Sequence, residues 1–169
     1  GANLDRNDVK SFGDEQQEKR PNTFRVGFHN IHNLPEDRRT SKSRQLINYV
    51  VQKSYDCLLM AEKDLTGGKS DTMTGGMKES GANYKFEVSL CTQRNGKQVT
   101  KTLQPGGVGM LATDEVTHRV VATGKDPTGL GRWCWMQLQG RNGIKVRIIS
   151  VYRPCDAPGA TTTYQQQNR

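Results

Sequence analysis

Phe24, Val26 and Phe28 alternate with Arg25, Gly27 and His29, the period-two pattern of a strand with one face turned inward. A loop from Asn33 to Thr40 contains Pro35. Ser41 to Ser54 then places Leu46, Ile47, Val50 and Val51 at the spacing of one buried helix face, with Thr40 or Ser41 as cap. Cys57 to Ala61 is a continuous apolar run, which suits a strand buried on both sides. Strand, helix and strand in this order predict a right-handed crossover between parallel neighbours. Gly67 to Ala82, rich in Gly, Ser, Thr and Lys, reads as a mobile loop. Further strands are predicted around Lys85–Leu90, Val108–Ala112, Val116–Ala122, Trp133–Leu138 and Val146–Tyr152. Asn142-Gly143, set between two apolar runs, predicts a tight hairpin. Trp133 and Trp135 share one face of their strand, and burial in the core is favoured over base stacking. Residues 1–22 are polar and charged without periodicity, so they read as a disordered or extended arm, and residues 23–169 as the folded unit.

Composition sharpens this picture. The hydrophobic fraction of 33% is lean, even with 18 glycines, beside the roughly 45–50% apolar usage of globular chains. A charged tail, a marginal fold or a piece of a larger assembly would each produce that figure. No apolar run approaches the roughly 18–20 residues of a membrane-spanning helix, so no membrane role is expected. The formal charge is +8 over 169 residues, and it is uneven: residues 1–23 sum to −1 and the remainder to +9. An excess of this size favours a polyanion, because each phosphate neutralised releases counterions; a solvated basic surface is the plain alternative. Cys57, Cys91, Cys134 and Cys155 are widely spaced with no Cys-x-x-Cys pair, which argues against a zinc ribbon or a thioredoxin motif. Buried free thiols and the lack of a signal-peptide pattern point to a reducing, intracellular compartment, nuclear or organellar.

Three segments carry a resemblance. Phe24 to Asn33 is placed like an opening strand ending in a metal-site Asn, here Asn30. Cys57 to Glu62 is similar to a second strand whose terminal Glu binds a catalytic metal, here Glu62. Ile148 to Pro154 looks like a strand ending in a phosphate-contacting Tyr, here Tyr152. Between them Pro105-Gly106-Gly107-Val108-Gly109-Met110-Leu111 matches a Gly-Gly-hydrophobic strand, and Gly129-Leu130-Gly131-Arg132-Trp133 and Tyr164-Gln165-Gln166-Gln167 extend the match. In this order the segments resemble the endonuclease/exonuclease/phosphatase (DNase I-like) superfamily, and most of all the endonuclease domains associated with reverse transcriptases of retroelements.

That resemblance implies an α+β chain forming part of a four-layer α/β sandwich, mainly one mixed sheet with one or two flanking helices. It implies a Mg²⁺-dependent endonuclease that cleaves phosphodiesters, with Mn²⁺ as a substitute and nucleic acid, DNA above RNA, as partner. Asn30, Glu62 and Tyr152 are then the catalytic candidates, Glu62 the metal ligand, and Arg132 and Arg153 the phosphate clamps. The residue types suit the chemistry, since Mg²⁺ takes oxygen ligands while keeping several waters, and arginine grips phosphate bidentately. Asp64 is the fallback ligand, and His29 and His32 are read as structural. Two motifs of the family do not occur: there is no Gly-Asp-x-Asn, and Ser70-Asp71 is followed by Thr72 rather than His. The chain is therefore expected to be the N-terminal portion of such a domain, leaving a sheet face for a protein partner to cover. The competing expectation is a non-catalytic interaction subunit built on a truncated domain of this kind.

Overall fold

A computed structural model describes residues 17–30, 48–61, 67–94, 97–98 and 106–153. Their architecture is α+β, with seven strands in two sheets. The first sheet contains β1 (Val26–Asn30), β2 (Cys57–Ala61), β6 (Val108–Thr113) and β3 (Tyr84–Ser89), in that order across the sheet. The second contains β7 (Val120–Lys125), β8 (Trp133–Gln139) and β9 (Lys145–Val151). A short ribbon, β4 (Gln93–Arg94) with β5 (Lys97–Gln98), stands apart from both. Helical residues 48–52 (α1) and the helix α2 (Gly67–Ser80) accompany the first sheet.

As the strand–helix–strand pattern predicts, β1 and β2 are parallel neighbours, with Val26 paired to Cys57 and Asn30 to Ala61. Alternation along β2 then divides the core in two. Leu58 and Met60, with Leu111 of β6 beside them, face Val50 and Met77 on the helix side. Cys57, with Leu59 beside it, shares the other face with Val108, Met110 and Ala112 of β6, against Cys134, Met136 and Leu138 of the second sheet. Both faces of β2 are therefore covered, which is why its run is apolar without alternation. The result is a helix layer, a sheet and a second sheet.

Several expectations need correction. The two strand groups form two sheets rather than mainly one mixed sheet. Residues 67–80, read as a mobile loop, are a helix. Their Gly, Ser and Thr content gives poor intrinsic propensity, and tertiary burial overrides it. Met77 is 0% exposed and inserts among Val50, Leu58, Met60 and Leu111. Gly81, at φ +74°, closes the helix by donating its N–H to Lys78 O at 3.2 Å. Val51, assigned to a buried helix face, is exposed, whereas Val50 on the same turn is buried. Leu46 and Ile47 of that face lie outside the described residues.

The strand expected over Val116–Ala122 begins only at Val120, because Asp114–Arg119 is a 3-10 turn. That turn carries the chain from the first sheet to the second and buries Val116 and Thr117, a crossing no straight strand can make. Trp133 and Trp135 also exchange roles with their neighbours. Cys134, Met136 and Leu138 take the inner face of β8, and the tryptophans lie half-buried on the outer one. There Gly124 leaves room for the Trp135 ring, which a Cβ would approach to 2.5 Å, and the Arg147 guanidinium covers the ring at 4.1 Å. The Asn142-Gly143 hairpin forms between β8 and β9. Both residues have positive φ (57° and 74°), and Ile144 N–H returns to Arg141 O at 3.2 Å, as a type I′ turn requires.

The charged arm enters the described residues at Gln17, and its last part is fastened to the body. Lys19 Nζ meets Asp56 Oδ1 at 2.6 Å, and the Arg25 guanidinium donates to Gln17 O and Lys53 O.

Candidate active site at one end of the sandwich

β1, β2 and β9 all end on the same side of the molecule. Register places Asn30, the last residue of β1, beside Ala61, the last of β2. Ser150, buried near the end of β9, donates its hydroxyl to Met60 O across 3.5 Å, joining the second sheet to the end of the first. Residues separated by 90 positions in the chain thus share one sheet end.

Side-chain direction adds to this convergence. Cys57 and Leu59 face the second sheet, so their register partners Val26 and Phe28, and with them Asn30, turn to that side as well. Gly27 and His29 turn to the helix side, where His29 lies against Tyr49 with ring centroids 6.4 Å apart. Tyr152 follows β9 and packs against the inter-sheet core. Asn30 and Tyr152 accordingly lie at the same end, Asn30 on the inter-sheet face of the edge strand β1 and Tyr152 against the core between the sheets. Glu62 follows Ala61 in the chain, but its placement lies outside the described residues, as do those of Asp64 and His32.

The backbone of Tyr152 is held by its N–H, which donates to Arg132 O at 2.9 Å. Arg132 in turn is anchored by Asp126, whose side chain is wholly buried. Asp126 accepts from Arg132 Nε at 2.9 Å, Arg132 N at 3.1 Å, Thr128 N at 2.9 Å and Thr128 Oγ1 at 2.6 Å. Burial opposes the charged form of this carboxyl, yet these donors together outweigh it and hold the pKa at about 2. Hydrogen bonding to Asp126 raises Arg132 in return. A phosphate at Arg132 would have to share a guanidinium already paired with carboxylate. Arg153, one residue beyond Tyr152, is exposed at the same end.

Asp126 is the residue that reasoning from sequence passed over. Its signal was Asp126-Pro127-Thr128-Gly129, a turn in which an Asp oxygen caps the N–H two residues on. The loop it organises brings Gly131, at φ +64°, so close to β3's end that a Cβ would lie 2.7 Å from Cys91 N.

No protein-family model matches the chain, and no curated protein matches it.

Among the described residues no group of three or more His, Cys, Asp or Glu is placed to hold a metal. Asn30 supplies an oxygen donor at the sheet end; Asp126 has its oxygens occupied. The fit to Mg²⁺ therefore turns on the Glu62 carboxylate. At the opposite end, where β1, β2 and β9 begin, lies a cleft of about 690 Å³ with Arg20, Arg119 and Arg141 on its walls, opposed by Glu115, and with the Lys19–Asp56 pair beside them. Positive charge thus occurs at both ends of the sandwich.

Proposed function

We propose that the chain is an endonuclease-like, phosphodiester-binding domain that works with Mg²⁺, or Mn²⁺ in its place, on nucleic acid. The observation that carries this reading is that β1, β2 and β9, the strands that lead to Asn30, Glu62 and Tyr152, end on one side of two packed sheets. Ligands of sheet proteins gather where strands end, because backbone polar groups and short loops there remain accessible. The body charge of +9 supplies the attraction for phosphate.

In this reading Glu62 holds the metal, which supplies charge neutralisation at a phosphate oxygen and a water of lowered pKa. Asn30 donates its amide to a phosphate oxygen or accepts from a metal-held water. The Tyr152 hydroxyl donates to the charge that develops on phosphate. Arg153 grips a flanking phosphate, and Arg132 keeps Tyr152 in position through its carbonyl. The Asp and His that would position and activate water in such a domain are not in this sequence, so that step is assigned to groups from outside it.

The test is a Mg²⁺ titration of binding to a short DNA duplex, followed by a nicking assay on supercoiled DNA. Binding is expected to strengthen with Mg²⁺ and to lose that response in Glu62→Gln. Nicking is expected to stay near background until a polypeptide carrying Gly-Asp-x-Asn and Ser-Asp-His is added. Equal Mg²⁺ response in wild type and Glu62→Gln would refute the assignment. A second reading, an interaction subunit, is favoured by the bare apolar flank of β1, where Val26 and Phe28 are exposed on the inter-sheet side.

A further inference from the structure

Sheet order places β1 at one edge of the first sheet and β9 at one edge of the second. β9 lies across β2 and β6, and β1 is the edge strand next to β2. Val26 and Phe28 face the second sheet but remain 48% and 59% exposed. On β9, Val146 shares the inner face with Ile148 and Ser150 and is 50% exposed. Inner-face apolar residues on both sheets are thus bare along the same flank, where the second sheet is one strand too narrow to cover the first.

The edge of β9 is equipped to take that strand. Tyr152 donates its N–H toward β8, and antiparallel pairing alternates. Val146, Ile148 and Ser150 therefore turn their N–H groups to β8, while Lys145, Arg147, Ile149 and Val151 turn theirs to the edge. Among the described residues no strand pairs there. β9 contains no Pro and no inward-pointing charge, and its charged residues, Lys145 and Arg147, guard the edge against strands of like charge.

Charge on the outer face specifies the partner. Lys145 and Arg147 stand there, followed on the same face by exposed Ile149 and Val151; Arg147 lies over Trp135 and donates to Gln137 Oε1 at 2.9 Å. Between Val120 and Arg153 the sequence has six Lys and Arg and one acidic residue, Asp126, which is buried and paired. A second copy of β9 would bring Lys145 and Arg147 against their own counterparts with no carboxylate to separate them.

We propose that the β9 edge accepts a strand from a protein partner whose residues alternate between apolar and acidic. The apolar residues point inward and cover Val26 and Phe28; the carboxylates point outward beside Lys145 and Arg147. The surface runs along the flank and ends beside Asn30 and Tyr152; peptide binding is read without Mg²⁺ or nucleic acid, so it does not depend on the phosphodiester reading.

The experiment is fluorescence anisotropy on the full chain with three labelled eight-residue peptides: alternating Val and Glu, alternating Val and Lys, and a block of four Val followed by four Glu. The alternating Glu peptide is expected to bind at least tenfold more tightly than either other peptide. Ile149→Pro removes an edge donor while leaving the β8 pairs intact, and is expected to weaken binding at least tenfold. Should Ile149→Pro fail to fold, Phe28→Ser tests the covered surface and Arg147→Glu the charge, the latter reversing preference toward the Lys peptide. Amide hydrogen exchange at Arg147 and Ile149 is expected to slow on binding. Equal binding of the three peptides, or wild-type affinity in Phe28→Ser and Arg147→Glu, overturns the proposal. So does a homodimer in sedimentation that Arg147→Glu leaves intact.

Discussion

Asp126→Asn removes one charge from a buried site and changes little in shape. In the native chain the carboxyl ionises near pH 2 rather than at its ordinary 3.8. At about 1.4 kcal/mol per unit, that depression would contribute about 2.5 kcal/mol at neutral pH. Arg132, the principal donor, is 32% exposed, and solvent screening brings the figure to about 1–2 kcal/mol. The sign follows from the depressed value. The stability is fully present above pH 4 and is lost as pH falls from 4 through 2. Urea unfolding followed by circular dichroism, between pH 2 and 7, gives the comparison. The wild type is expected to lose about 1–2 kcal/mol more than Asp126→Asn across that window. Asp126→Ala should be worse at every pH, by about 3 kcal/mol, because two backbone N–H groups and a guanidinium lose their acceptor. Parallel pH profiles for wild type and Asp126→Asn would refute the view that donors around Asp126 stabilise its charge. Since Arg132 O receives the Tyr152 N–H, Asp126→Ala is also expected to weaken whatever binding Tyr152 supports.

Three further outcomes follow from packing. Met77→Ala should cost about 3 kcal/mol in urea unfolding and reduce helical signal, since Met77 anchors α2; no loss would mean the helix is not held through it. Gly131→Ala should cost about 2 kcal/mol or more, because φ is +64° and Cys91 N stands 2.7 Å from the new methyl; thermal melting checks it. Cys57 and Cys134 are pushed up to about 12, chiefly by burial, with Asp56 and Glu87 respectively adding to the shift. Both should resist iodoacetamide at pH 8 in the folded chain and react in urea, as read by peptide mass spectrometry.

At the candidate site, the strand ends were legible and their meeting was not. Apolar runs locate β2 and β9, and the residues that follow them can be named from order along the chain. The approach of Ser150 to Met60, and the packing of Tyr152 against the core between the sheets, depend on how two sheets stack, which no local pattern encodes. Asp126 escaped notice for the same reason: its partner Arg132 is close in sequence, but its value comes from burial.

The elements that could be read from the chain share one property. In β2, β6 and the β8–β9 hairpin, local signals agree with the final environment: a doubly covered strand is apolar throughout, and Asn-Gly supplies two left-handed residues where the turn needs them. Misreadings occurred where a distant surface overruled local preference. A Gly- and Ser-rich stretch became α2 because one methionine found a core formed by residues far along the chain. Trp133 and Trp135 went outward because the second sheet presented Cys134, Met136 and Leu138 to β6 and β3. Period two says that alternate residues share a face; only the packing of one sheet on another decides which face is inside.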